Sequence, residues 1–132
     1  MKEKFENLRE NMLIEVSYWN GLGTPYRNYK IITKDKKMYT YEIYLRKVPD
    51  VLKEYFDGNE AFYETVINDE EYKMVTNFIK DKIMSKKFDM MNMKDVGYKI
   101  SVKSGKNIFV RNNQELYIEI NDLLCKFYKK NL

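Results

Sequence analysis

Residues 61–83 read AFYETVINDEEYKMVTNFIKDKI, and the change of rhythm inside this stretch decides the fold. Ala61–Ile67 is rich in β-formers and reads as a strand. From Asn68 onward the apolar residues fall at helical spacing. Tyr72, Val75, Ile79 and Ile83, with Met74 and Phe78 alongside, form one stripe. Asn68 suits an N-cap and Glu71 is placed to reach back to it, an Asn-x-x-Glu variant of the capping box. Asp69, Glu70 and Glu71 put negative charge at the positive end of the helix dipole, and the lysines from Lys80 to Lys87 crowd the other end. A strand running directly into a capped amphipathic helix implies helices packed on a sheet.

Working outward, Met12, Ile14, Val16 and Tyr18 alternate with Leu13, Glu15, Ser17 and Trp19, a strand with one mostly apolar face. Residues 20–25 break it. A second strand over about 28–33 and a third over about 38–45 flank Lys34-Asp35-Lys36-Lys37, a hairpin connector. Tyr39, Tyr41, Ile43 and Leu45 share one face of the third strand. Residues 2–10 and the segment after Pro49, closed by Gly58, read as short helices. Downstream, residues 97–103 and 107–111 form a second hairpin around Ser104-Gly105-Lys106. Asn112 and Glu115 then repeat the Asn-x-x-Glu start and open a last helix to about Lys130, with Leu116, Ile120, Leu123, Leu124 and Phe127 on its buried face. Aligned on Asn68 and Asn112, the two helix stripes are one residue out of phase, which speaks against a simple duplication. The expected fold is α+β: a mostly antiparallel sheet of about five or six strands with two main helices on one face, residues 1–132 making a single domain.

The composition narrows the chemistry. The chain holds no histidine and one cysteine but 12 tyrosines. Histidine is the commonest general base near neutral pH and a frequent metal ligand, so triads, Cys-His pairs and histidine-bound zinc are excluded. Cys125 has no partner for an internal disulfide, which fits a reducing cytoplasm, and no histidine to activate it as a nucleophile. Pro49-Asp50 followed by Glu71-Tyr72-Lys73 imitates the spacing of metal-dependent nucleases. Two residues apart on a helix, however, Glu71 and Lys73 do not converge. No catalytic residue, metal ligand or cofactor is therefore assigned, and the chain is expected not to be an enzyme.

The net charge of +4 comes from 24 basic and 20 acidic residues, interspersed throughout. That is a solvated surface, not the single-sign stripe of a dedicated nucleic-acid binder. No apolar run approaches the roughly 18 residues of a membrane span, and a cytoplasmic location is expected. The abundance of Lys, Asn, Ile, Tyr and Phe matches the AT-rich codons of low-GC bacteria and their phages.

Tyrosine and tryptophan are favoured at interfaces. Trp19, with Tyr18, Tyr26 and Tyr29 around the glycine-bearing break, forms one candidate contact patch, although a lone tryptophan is more often buried and the balance here favours Trp19 packing under the loop as core. Phe88, Met90, Met91 and Met93 form another, since methionine adapts to varied partners. The expected function is a protein-binding module that occludes a partner, of inhibitor or immunity type. A nucleic-acid binder using Lys34, Lys36, Lys37, Lys86 and Lys87 is the first alternative; a homodimer or structural homo-oligomer is the second.

Overall fold

The computed structural model describes residues 6–20, 26–45, 48–56, 58–84 and 97–130. The architecture is α+β. Strands β1 (Met12–Asn20), β2 (Tyr26–Thr33), β3 (Lys37–Tyr44), β4 (Glu60–Val66), β5 (Tyr98–Ser104) and β6 (Asn107–Arg111) form one antiparallel sheet in the order β4-β3-β2-β1-β5-β6. Helix α1 (Asp69–Phe78) continues as a wider π-helical turn over Ile79–Met84, and α2 (Gln114–Lys130) ends the described chain. Both lie on one face. No helix among the described residues is long and apolar enough to cross a membrane.

The central pair shows why the sequence folds this way. β1 and β2 pair directly across residues 21–25, with Glu15 opposite Ile31, Ser17 opposite Tyr29 and Trp19 opposite Arg27. Ile14, Val16 and Tyr18 therefore point to the helices, with Ile32 beside Ile14. Met12 departs from the expected alternation. The register shifts between Met12 and Ile14, and Met12 turns to the opposite face to pack with Ile31, Tyr39 and Tyr41. An extra residue in a strand reverses every side chain before it.

The segments expected as short helices are tighter. Residues 6–8 are helical and pass into a 3-10 turn at Arg9–Asn11, while Asp50–Tyr55 is 3-10 throughout. Stretches this short do not repay the cost of nucleating an α-helix.

Helix α1 begins as its sequence dictates. Asn68 Oδ1 accepts the Glu71 N–H at 2.7 Å, and Glu71 Oε1 accepts the Asn68 N–H at 2.9 Å. Val75, Ile79 and Ile83 are buried, whereas Met74 is 52% exposed and lies off the stripe. For α2 the cap is one residue later than expected. Asn113 Oδ1 accepts the Leu116 N–H at 3.0 Å, and Asn112 instead donates to the Tyr98 carbonyl. Counted from Asn68 and Asn113, the stripes fall into phase: Tyr72 with Tyr117, Val75 with Ile120, Ile79 with Leu124. The sheet also reads alike outward from its centre, β2-β3-β4-α1 on one side and β1-β5-β6-α2 on the other.

The core between sheet and helices contains Ile14, Val16, Ile32, Met38, Ile100 and Val102 from the strands and Val75, Ile83, Ile120 and Leu124 from the helices. One polar system interrupts it. Lys30, 6% exposed, sends its Nζ to Asn28 Oδ1 at 2.8 Å and to Asn121 Oδ1 of α2 at 2.9 Å. Asn28 Nδ2 in turn donates to Glu42 Oε1 at 2.9 Å, and Tyr26 and Tyr63 donate to the same oxygen. Burial pulls the Lys30 ammonium below its ordinary value, with Cys125 and Glu42 working against that shift. Beside Lys30 on β3, the fully buried Thr40 hydroxyl has no hydrogen-bond partner among the described residues.

Two stability measurements test this network. Asn28→Ala removes an acceptor for Lys30 and a donor to Glu42 together, and should lower the urea-unfolding free energy by about 1–3 kcal/mol. Thr40→Val keeps the volume and removes an unpaired hydroxyl. It should raise stability by about 1 kcal/mol, and a loss of stability would mean the hydroxyl is satisfied in solution.

Candidate functional site

The face of the sheet opposite the helices carries the site. Alternation along β1 puts Glu15, Ser17 and Trp19 there, and pairing brings Tyr29 and Arg27 alongside from β2, then Tyr41 and Ile43 from β3. On the other side, β5 places Lys99 against Ser17. Trp19 is 45% exposed and so is not core. The Arg27 guanidinium lies 5.9 Å from the centre of its ring, within cation–π range. The Trp19 N–H donates to the Gly97 carbonyl at 2.8 Å. A Cβ at position 97 would come within 2.8 Å of the Trp19 carbonyl, so only glycine lets β5 close against β1 here.

The N-terminal turn forms one wall. Arg9 grips Glu15 with two hydrogen bonds, Nε to Oε1 at 2.6 Å and Nη2 to Oε2 at 3.0 Å. The bond to Glu15 raises the proton affinity of Arg9, and the nearby charge of Glu6 adds to it. Two hollows open beside this pair. One of about 280 Å³ is bounded by Tyr41, Ile43 and Leu45; the other, about 370 Å³, by Ser17, Trp19, Gly97 and Lys99. They share Arg9, Arg27 and Tyr29 and so form one groove. Beneath it Met12, Ile31, Tyr39 and Tyr41 make a second apolar cluster, with Tyr41 OH donating to Glu60 at 2.7 Å.

The structure separates residues that the sequence grouped. Tyr18 and Tyr26 lie on the helix face, away from Trp19, because neighbouring positions of a strand face opposite ways. They belong to a ladder of tyrosines crossing the sheet. Tyr117 stands 5.0 Å from Tyr98, Tyr98 5.1 Å from Tyr18, Tyr18 6.4 Å from Tyr26 and Tyr26 4.8 Å from Tyr44, ring centre to ring centre. Phe88, Met90, Met91, Met93, Lys86 and Lys87 lie outside the described residues, as do positions 21–25.

Of the hairpin lysines, Lys36 pairs with Asp69 at 2.5 Å and Lys37 with Glu64 at 3.6 Å, while Lys34 is exposed. Lys36 adopts a positive φ of 62° at the tip, and its ammonium also lies over the Tyr72 ring, tying the hairpin to α1. Its bond to Asp69 raises Lys36 and lowers Asp69 from their ordinary values.

The acidic residues suggestive of a nuclease have other partners. Asp50 pairs with Lys53, and Glu71 completes the α1 cap. Among the described residues no three metal-ligating side chains come together. Cys125 is half-buried and lies near Lys30 and Tyr117. The residues missed in sequence are Arg9, Arg27 and Lys99, whereas Tyr29, named with Trp19 in the sequence, does share its face. No family model, curated protein or solved structure matches the chain.

Several tyrosines resist ionisation. Burial raises Tyr26, Tyr41 and Tyr117 well above the ordinary value of 10.0, helped by the charge of Glu42 at Tyr26 and by the bond to Glu60 at Tyr41. A group whose folded pKa is raised stabilises the fold below its unfolded pKa, and that contribution is lost as pH climbs toward the folded value. Stability should therefore fall above about pH 10, by roughly 1.4 kcal/mol per pH unit for each such tyrosine. Lys30, lowered by burial, acts in the opposite sense and favours folding as pH rises toward 10.5. Ultraviolet titration of the native protein should show part of the 12 tyrosines silent until unfolding; full ionisation of all of them in the folded state would refute this.

Proposed function

We propose that this protein is a non-enzymatic binding module that docks a partner protein on the sheet face opposite its helices and acts by occluding that partner, as an inhibitor or immunity-type protein does. The observation that carries this reading is the Trp19–Arg27 pair, an exposed tryptophan under a stacked guanidinium at the side of a groove floored by Tyr29 and Tyr41. Trp, Tyr and Arg are the residues that dominate binding energy at protein interfaces. A large ring already held against its neighbours loses little freedom on binding, which favours affinity.

Nucleic-acid binding through the hairpin lysines draws less support. Lys36 and Lys37 are engaged by Asp69 and Glu64. An electrostatic footprint on nucleic acid requires cations free to replace counterions.

Affinity capture distinguishes the readings. Wild-type protein, Trp19→Ala and Lys34→Ala serve as baits in nuclease-treated host lysate, with mass spectrometry of the retained proteins. A specific protein held by wild type and Lys34→Ala at high salt, and lost with Trp19→Ala, is the expected result. Equal retention by Trp19→Ala would overturn the assignment of this face. A concentration-dependent dimer in sizing chromatography, abolished by Trp19→Ala, would instead make the partner a second copy of this chain.

A further inference from the structure

The charges lining the groove say what its occupant carries. Five ionic side chains border it: Arg9, Arg27 and Lys99 against Glu6 and Glu15. Both acids act on Arg9, Glu15 by a two-fold hydrogen bond and Glu6 through its charge. Arg9 is thereby neutralised and serves as a strut. Arg27 and Lys99 make no ion pair among the described residues, and both are exposed. The positive charge left over therefore sits at the Trp19 end. The opposite end, formed by Tyr41, Ile43 and Leu45, is apolar, with Leu45 46% exposed.

On the reading of this face as a docking surface, we infer that its occupant is an acidic peptide segment of the partner with an apolar anchor: carboxylates meet Arg27 and Lys99 beside Trp19, and a hydrophobic side chain enters the hollow at Ile43 and Leu45. Arg27 faces Trp19 and Lys99 faces Ser17 on strands either side of β1, so their backbones are roughly 12 Å apart across the sheet. Carboxylates two residues apart on an extended chain are separated by about 7 Å, a gap that two long basic side chains close. The arginine edge supplies the forked donors that a carboxylate accepts in pairs. A polynucleotide fits less well. It requires cations continuing along the groove, whereas Glu6 borders the apolar end and Glu60 is bound to the Tyr41 hydroxyl.

Trp19 is the only tryptophan of the chain, so its fluorescence reports on this site alone. The intact protein is titrated with three probes: the capped peptide Asp-Leu-Glu-Phe-Asp-Leu-Glu, the same peptide with Asn and Gln replacing the acids, and an oligothymidylate. The acidic peptide should give a saturable change in Trp19 emission that weakens with salt. Lys99→Glu should reduce its affinity at least tenfold while Lys34→Ala leaves it unchanged, and circular dichroism with the urea midpoint confirms that both variants are folded. Equal binding of the amide peptide, tighter binding of the oligothymidylate, or no saturable change with the acidic peptide would each overturn the inference. The two readings separate in the capture experiment. A partner lost with Trp19→Ala but retained by Lys99→Glu leaves the docking face standing and removes its acidic preference; a partner retained by both removes both.

Discussion

A lysine ammonium buried under α2 constrains the whole arrangement. Taking such a charge out of water costs several kcal/mol unless hydrogen bonds replace those of the solvent. Here the replacements come from two asparagines on different elements, Asn28 of β2 and Asn121 of α2. Asn28 turns its oxygen to Lys30 and its nitrogen to Glu42, so one amide joins a buried cation to a carboxylate on the next strand. The consequence is positional. Turning α2 by one residue swings its side chains by 100° and removes Asn121 from Lys30. Apolar contacts from Ile120 and Leu124 would tolerate a small slide along the sheet; an ammonium that loses an acceptor does not. The network thus selects one seat for α2 among several that the hydrophobic stripe alone would allow.

The seat of α2 in turn determines what each face of the sheet does. Tyr117 reaches down from α2 to Tyr98 and Tyr18, and the ladder continues through Tyr26 to Tyr44. Five of the 12 tyrosines are absorbed in this way, so a good part of the tyrosine surplus is a feature of packing. The hydroxyls matter as much as the rings, since Tyr26 and Tyr63 both satisfy Glu42. The opposite face keeps a smaller aromatic set, and there Trp19 and Arg27 stay accessible. The proposed docking face is thus the one where the tyrosines are fewer.

The architecture was legible because it rests on local signals. The rhythm change at Asn68, the alternation along β1 and the two hairpins are properties of neighbouring residues. The groove was less legible because it depends on which strands become neighbours. Residues 20–25 look like a break, yet β1 and β2 pair around them so that partner numbers add to a constant: 15 with 31, 17 with 29, 19 with 27. Starting the second strand at residue 28 left Arg27 out of that count and hid its place beside Trp19. Arg9 and Lys99 reach the groove from a turn and from a strand about 80 residues further on, beyond the range of periodicity. Lys30 was hidden for a related reason. A lysine in a strand normally marks the solvated face, and only the asparagine from α2 makes its burial tolerable. The late cap of α2 obscured the correspondence of the two helices, since two consecutive asparagines offer equal capping chemistry.

The groove proposed as the docking site is held in shape by contacts within the chain. Its N-terminal wall is fixed at three points: Arg9 on Glu15, the Asn11 carbonyl accepting the Lys34 N–H at 3.0 Å, and the Glu10 carbonyl accepting Lys103 Nζ at 2.8 Å. These anchors come from β1, from the β2–β3 turn and from β5, so the wall is tied to both halves of the sheet. The Trp19 backbone is fixed by its amide N–H bond to the Gly97 carbonyl, and the Arg27 guanidinium lies over the Trp19 ring. Such a site gives up little conformational entropy on association, so more of the contact energy remains as affinity. The charge pattern works with this rigidity. Because Arg9 and Glu15 neutralise each other in place, the unpaired positive charge bordering the groove is that of Arg27 and Lys99, and a localised positive end favours partners of complementary charge.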